Sequence, residues 1–290
     1  MKIGLIDVDS HNFPSLPLMK LSAYHKAQGD TVEFWNGLTH YDRVYMSKVF
    51  DFTPDIQHAI MADEIIKGGT AYGLDNKLDE AVEHCCPDYG LYQITDTAYG
   101  FLTRGCPRKC PFCIVGKKEG VKAYRVADLS EFWSGQRNIV LLDPNLLAYK
   151  DADSLLEQLA ESKSYIDFAQ GLDVRLLDKS RAELIKKIRI KMLHLAWDNP
   201  KVDLTDHFQK AKEWLSFSRQ KMGVYVLTNY WSTLEEDLFR IYTLRDLGYS
   251  PYVMIYDKPN APKEIRRLAA WVNNKRVFGA CKRFEDYSPA

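Results

Sequence analysis

Gly100-Phe101-Leu102-Thr103-Arg104-Gly105-Cys106-Pro107-Arg108-Lys109-Cys110-Pro111-Phe112-Cys113 is the stretch around which this 290-residue chain is organised. An apolar strand pattern ends in Thr103-Arg104-Gly105. A loop framed by Gly105, Pro107 and Pro111 then carries three of the six cysteines at CxxxCxxC spacing. Glycine and proline keep such a loop out of helix and let its side chains turn inward, so three thiolates can converge on one face of a cubane iron–sulfur cluster. Three protein ligands leave the fourth iron with open positions, the arrangement that separates catalytic metal sites from closed structural ones. Two other readings stand beside this one: a structural zinc loop with a remote fourth ligand, and reduced thiols without a ligand role. Zinc sites generally show two CxxC-like pairs, and no second pair occurs here.

Composition sets the frame. The chain is long enough for one large domain or two modest ones, and Lys plus Arg equals Asp plus Glu at 39 each. Neutrality argues against a nucleic-acid partner without excluding a local basic patch. The basic segments are short: Arg108-Lys109, Lys117-Lys118, and Lys186 to Lys191, the last reading as a solvated helix end favoured by the helix dipole. Met1-Lys2 runs directly into the strand-like Ile3-Gly4-Leu5-Ile6-Asp7 and no apolar run reaches membrane-spanning length, so the expectation is a cytoplasmic protein without a membrane partner. In that setting six cysteines read as ligands or reduced thiols, not disulfides.

Outward from the cysteine loop, two patterns divide the chain into residues 1–95 and 96–290. Before the loop, strands are expected at Lys2 to Val8, Thr31 to Trp35, Arg43 to Phe50 and Glu64 to Gly69. Helices are expected at Leu16 to Gly29 and Asp75 to His84, which together give a small Rossmann-like unit. Gly68-Gly69-Thr70-Ala71-Tyr72-Gly73 reads as a strand-to-helix turn more than a phosphate loop, since it fits no phosphate fingerprint. Cys85 and Cys86, being adjacent, read as structural. After the loop, strands at Tyr99 to Arg104, Asn138 to Leu142, Ile166 to Gln170, Met192 to Ala196, Gly223 to Thr228 and Pro251 to Tyr256 alternate with helices. These helices are Leu155 to Ser162, Ser180 to Ile188, Leu204 to Phe217 and Leu234 to Leu247. The fold class is therefore α/β: a Rossmann-like unit, then about six β/α units of a partial parallel barrel. An open doubly wound sheet fits the same local pattern.

CxxxCxxC with Phe112 before the last cysteine, directly after the first strand of a β/α array, resembles the cluster loop of the radical S-adenosylmethionine (SAM) superfamily. The resemblance implies a 4Fe-4S cluster on Cys106, Cys110 and Cys113, and SAM bound at the open iron. It also implies reductive cleavage of SAM to a deoxyadenosyl radical, hydrogen abstraction from a substrate, and a flavodoxin- or ferredoxin-type electron donor for which Lys117 and Lys118 offer a surface. The first ninety residues are similar to the domain preceding the barrel in the cobalamin-dependent branch. The cobalamin pattern Asp-x-His-x-x-Gly is absent, because Asp9-Ser10-His11-Asn12-Phe13-Pro14 ends in proline and lies after the first strand. Cysteines of the methylthiotransferase type are missing before Cys85, which argues against an RNA modifier of that kind. A cluster-binding redox or metal sensor without turnover is the rival from outside the enzymes.

In parallel barrels, functional groups gather at the carboxyl ends of the strands. Those ends carry Asp143 and Asn145, then Gln170, Asp173 and Arg175, then Trp197, Asp198 and Asn199, then Asn229 and Tyr230, then Tyr256. SAM presents an amino group, a carboxylate, ribose hydroxyls and adenine. The resemblance places Asp143 and Asn145 near the amino group, although its Gly-Gly-Glu form is not present. Gln170, Asp173 and Arg175 suit the ribose and carboxylate, with Arg175 able to pair bidentately, and Phe112 lies beside adenine through its backbone. Trp197, Tyr230 and Tyr256 read either as a substrate wall or as aromatics closing the barrel end. Cys281 reads as a core thiol.

Overall fold

The computed structural model describes residues 1–11 and 13–288, so Asn12 of the cobalamin-like pattern lies outside the described residues. The amino-terminal unit consists of β1 (Lys2–Asp7), α1 (Leu16–Ala27), β2 (Thr31–Phe34), β3 (Tyr41–Ser47), β4 (Ala62–Gly68) and the single turn α2 (Glu80–Glu83). Its four strands are parallel in the order β2-β1-β3-β4. The order reverses around β1, so this sheet has a switch point between β1 and β3. The helix expected from Asp75 shrinks to α2, because Val82 is its only buried side chain and Asp75-Asn76 favour a turn. The Gly69 turn is a close approach: its φ is +95°, and a Cβ there would lie 2.3 Å from the Lys48 carbonyl oxygen.

The rest of the chain continues as β5 (Thr97–Gly100), β6 (Thr103–Arg104), α3 (Val115–Lys118), β7 (Tyr124–Arg125), β8 (Asn138–Leu141), α4 (Ala152–Glu161) and β9 (Tyr165–Leu172). It goes on through α5 (Lys179–Lys187), β10 (Arg189–Ala196), α6 (Thr205–Leu215), β11 (Met222–Thr228), α7 (Leu234–Asp246), β12 (Ser250–Ile255), α8 (Lys263–Asn273) and α9 (Lys275–Ala280). Six parallel strands stand in the order β5-β8-β9-β10-β11-β12. This order follows the sequence without reversal. Right-handed crossovers that always step the same way put every helix on one face, so the sheet is singly wound and open, unlike the doubly wound alternative. Neighbouring helices α4, α5, α6 and α7 accordingly contact one another in turn.

The core lies between that helical layer and the sheet. Ile166, Phe168, Leu193, Leu195, Val224 and Val226 point into it, alternating along their strands with residues on the opposite, concave face. One side of the concave face is covered by the amino-terminal unit: Leu16 and Met19 of α1 pack on Val140 and Leu142 at the end of β8. Burying a leucine or methionine side chain of this kind contributes roughly 2 kcal/mol, which is what seats one unit on the other.

The strand expected from Tyr99 to Arg104 is broken in two. Asp143 at the end of β8 accepts from the Leu102 amide at 3.2 Å and from the Thr103 amide at 2.5 Å, which takes these groups away from the parallel ladder. Thr103 and Arg104 then pair antiparallel with Arg125 and Tyr124, so the cysteine loop is carried on a short hairpin in place of a first barrel helix.

Candidate metal centre

The hairpin formed by β6 and β7 projects from the carboxyl end of β5, at the mouth of the six-stranded sheet. Gly105 begins the loop at φ +78°, and a Cβ there would lie 2.2 Å from the Lys122 carbonyl oxygen, so only glycine lets the two arms close. The Cys106 amide donates to the Gly120 carbonyl at 3.1 Å, and the Cys113 amide to the Cys110 carbonyl at 3.0 Å. Arg104 bridges Glu119 at 2.9 Å and Glu83 at 3.4 Å, tying the base of the hairpin to α2. Lys118 donates to the Thr70 hydroxyl at 2.7 Å, so this lysine braces the loop against the amino-terminal unit, while Lys117 is exposed.

All three loop cysteines are free and half-buried. Burial, the neighbouring thiols and Asp198 push Cys110 upward in pKa; burial does the same to Cys113, opposed by the nearby Val115 amide. Asn145 donates from Nδ2 to the Cys106 sulfur at 3.6 Å, and its buried Oδ1 has no partner. An N–H aimed at sulfur suits a thiolate ligand, and the orphan Oδ1 leaves an acceptor beside it, so the donor set fits a thiolate-bound group. Among the described residues no three His, Cys, Asp or Glu side chains are arranged to hold a single metal ion. Three sulfurs round one zinc would stand about 3.8 Å apart, whereas a cubane takes each thiolate on a different iron and needs no such convergence.

The residues named from the sequence fall into three groups. Asp173 joins the loop directly: its carboxylate accepts from Arg108 Nε at 2.6 Å and from Arg175 Nε and Nη2 at 2.7 and 3.0 Å. Burial would raise its pKa, but the Arg175 and Arg108 guanidiniums hold it below the usual carboxylate range. Arg175 carries a nearby charge that opposes the rise at Cys110, and Gln170 is exposed at the same strand end. Asp143 belongs to the second group. Its oxygens are occupied by Leu102 and by the Thr103 amide and hydroxyl, the latter at 2.7 Å, so it positions the hairpin. Burial outweighs those hydrogen bonds and pushes Asp143 up to about 6.

The third group is aromatic. Phe112 meets Tyr230 edge-on at 5.5 Å and Trp231 at 6.2 Å, and Tyr230 meets Tyr256 at 4.7 Å, forming a wall from the loop across the ends of β11 and β12. Asn229, left-handed at φ +64°, turns the chain there and donates to the Tyr256 carbonyl at 2.8 Å. Trp197 is not part of this wall. It is 1% exposed, stacks on Phe208 at 5.4 Å and donates to the Val202 carbonyl at 2.9 Å, so it closes the barrel core instead.

Two positioning residues escape sequence reasoning. Arg108 looked like a loop charge and is the loop's anchor to Asp173. Arg240, on α7 and 1% exposed, donates to the carbonyls of Trp197 at 2.7 Å, Asp198 at 3.2 Å and Leu227 at 2.9 Å, fixing the ends of β10 and β11. It thereby holds Asp198, whose carboxylate accepts from the Leu227 amide at 3.2 Å and is pushed up to about 6 by burial. A charged residue amid the apolar positions of α7 was the only signal for it. Cys85 and Cys281 each donate to a carbonyl, of Ala81 and Arg283, as structural thiols do.

No family model matches the chain, and no curated protein matches it. Among solved structures it is similar at 13% identity to the solution structure of the E. coli RcsC C-terminus, which contains a linker region and phosphoreceiver domain. That match covers 97% of this chain and 95% of the other with a TM-score of 0.21, an overlap too small to carry an argument. No helix among the described residues is long and apolar enough to cross a membrane.

Proposed function

We propose that this chain is a radical SAM enzyme, holding a 4Fe-4S cluster on Cys106, Cys110 and Cys113 and SAM beside it at the mouth of the open six-stranded sheet. The observation that carries this reading is the cysteine hairpin: it replaces the first barrel helix, is clamped by Asp143 and by the Arg108–Asp173 pair, and has Asn145 donating to sulfur. When bound, the cluster and SAM supply an electron and a deoxyadenosyl radical for hydrogen abstraction.

The remaining roles belong to the protein's own residues. Arg175 offers a guanidinium beside Cys110 for the SAM carboxylate, and its pairing with Asp173 keeps it aimed there. The free Oδ1 of Asn145 accepts from an ammonium, the role expected near the SAM amino group. Gln170 serves the ribose hydroxyls. Phe112, Tyr230 and Trp231 supply an apolar face for a purine and exclude water from the mouth. Asp143 acts through Thr103 by positioning the loop.

Anaerobic reconstitution with iron and sulfide, then incubation with SAM and dithionite, tests the proposal. Formation of 5′-deoxyadenosine by the wild type and its loss on replacing the three loop cysteines with alanine are expected. A protein that binds iron and forms no deoxyadenosine under these conditions is a sensor, and the enzymatic reading fails.

A further inference from the structure

The concave face of the six-stranded sheet is divided. Its β5 and β8 side is apolar and lies under α1, whereas the side formed by β9 to β12 is open and carries Asp167, His194, Tyr225 and Tyr252. Asp167 lies about 10 Å before Gln170 along β9 at roughly 3.3 Å per residue, whereas Tyr225, in register with Ala196 and with Tyr252, stands nearer the carboxyl ends of the strands. The His194 ring stacks on Tyr225 at 4.7 Å with 5° between planes, and lies over Gly223, where a Cβ would come within 2.7 Å of the imidazole. Tyr225 meets Tyr252 edge-on at 6.1 Å.

Hydrogen bonding leaves His194, Asp167 and Tyr225 presenting acceptors. His194 Nδ1 lies 3.3 Å from the Phe168 carbonyl, which can only accept, so in the neutral ring Nδ1 carries the proton and Nε2 is an acceptor. Asp167 Oδ1 lies 3.6 Å from the same nitrogen, beyond hydrogen-bond length, and is buried without a partner. The Tyr225 hydroxyl donates to the Ala169 carbonyl at 2.8 Å, leaving only its lone pairs. The neighbours on that face, Ala169, Met192, Ala196 and Leu227, carry no positive charge. The Tyr252 hydroxyl can donate, but the other polar atoms that the group presents are acceptors, one of them a carboxylate oxygen that burial makes costly to leave unpaired, and the walls are aromatic faces that attract cations.

We propose that Asp167, His194 and the Tyr225 and Tyr252 rings form a binding site for a protonated amine, the recognition group of the substrate. Calling that amine the substrate rests on the function proposed above; the site itself does not. Asp167 takes the ammonium by a charge-assisted hydrogen bond, His194 Nε2 accepts a second N–H, and the tyrosine rings flank the methylenes next to it. Carboxylates and phosphates are disfavoured, because the Asp167 carboxylate repels them.

Isothermal titration of the full-length chain, as purified and after anaerobic reconstitution, tests the site with tyramine and putrescine as probes. 4-Ethylphenol serves as the neutral and 4-hydroxyphenylacetate as the anionic control. Saturable binding of an amine probe, weakened about tenfold or more by Asp167→Asn and about threefold by Tyr252→Leu, is expected. Tyr252 is 45% exposed, so its variant keeps the test open if Asp167→Asn does not fold. Neither amine binding, equal binding of ethylphenol, preference for the anion, or affinity unmoved by the variants overturns the site. Deoxyadenosine formation without amine binding sinks this inference alone; amine binding without deoxyadenosine sinks the enzymatic reading and leaves the site standing.

Discussion

Asp173→Ala is the substitution that separates a braced cysteine loop from a loose one. The carboxylate is 6% exposed and accepts from two arginines, one on the loop and one after β9. The Arg175 contact is bidentate with the guanidinium 33% exposed, for which about 2 kcal/mol is a fair figure after screening. Arg108 is 36% exposed, and its single contact contributes about 1 kcal/mol. Removing Asp173 thus costs about 3 kcal/mol and lowers the melting temperature by about 6 °C for a chain of this size. The variant also frees the loop, so trypsin cuts after Arg108 and Lys109 faster than in the wild type at a temperature where both are folded. A double-mutant cycle with Arg108→Ala isolates the loop contact, with a coupling of about 1 kcal/mol. A melting temperature within about 1 °C of wild type, or unchanged cleavage at the loop, refutes the claim that Asp173 holds the hairpin.

Three other outcomes follow from the same geometry. Gly105→Ala forces a Cβ onto the Lys122 carbonyl at positive φ, so iron uptake on reconstitution falls sharply while circular dichroism of the sheet persists; normal iron content counts against the hairpin geometry. Asp143 has its folded pKa raised from 3.8 to about 6, so the native state binds the extra proton between those values. Its contribution is fully present below pH 3.8 and lost as pH rises through about 6, a fall of about 3 kcal/mol that Asp143→Asn removes from urea-unfolding profiles; parallel profiles contradict this. Asn145→Leu deletes an N–H donor to the Cys106 sulfur, so the reduction potential of reconstituted protein moves negative at unchanged iron content; an unmoved potential contradicts the contact.

Much of the architecture was legible because periodicity and crossover rules act locally. Strands such as Asn138 to Leu142 and Gly223 to Thr228 announce themselves by apolar runs, and their observed bounds differ by one residue. The stripe Ile265, Leu268, Trp271 and Val272 in α8 was equally visible and went unread, though it completes the sixth unit. What sequence withholds is long-range pairing. The break between Gly100 and Thr103 depends on Asp143, forty residues away, and nothing around Leu102 signals it. Trp197 illustrates the same limit: a tryptophan at a strand end suits a wall or a core equally, and only the Phe208 stack decides. The strand-end polar residues were found as a set, but their division into loop anchors and free groups depends on arginines drawn from elsewhere in the chain.

The central claim is that Cys106, Cys110 and Cys113 hold a cluster with one iron left for SAM. Electron paramagnetic resonance of the reconstituted, dithionite-reduced protein, recorded with and without SAM, tests it most directly. The account predicts a reduced 4Fe-4S signal whose g-values shift when SAM is added and which vanishes in the variant with all three cysteines replaced. Spectra indifferent to SAM, or a signal that survives loss of the three thiols, contradict it.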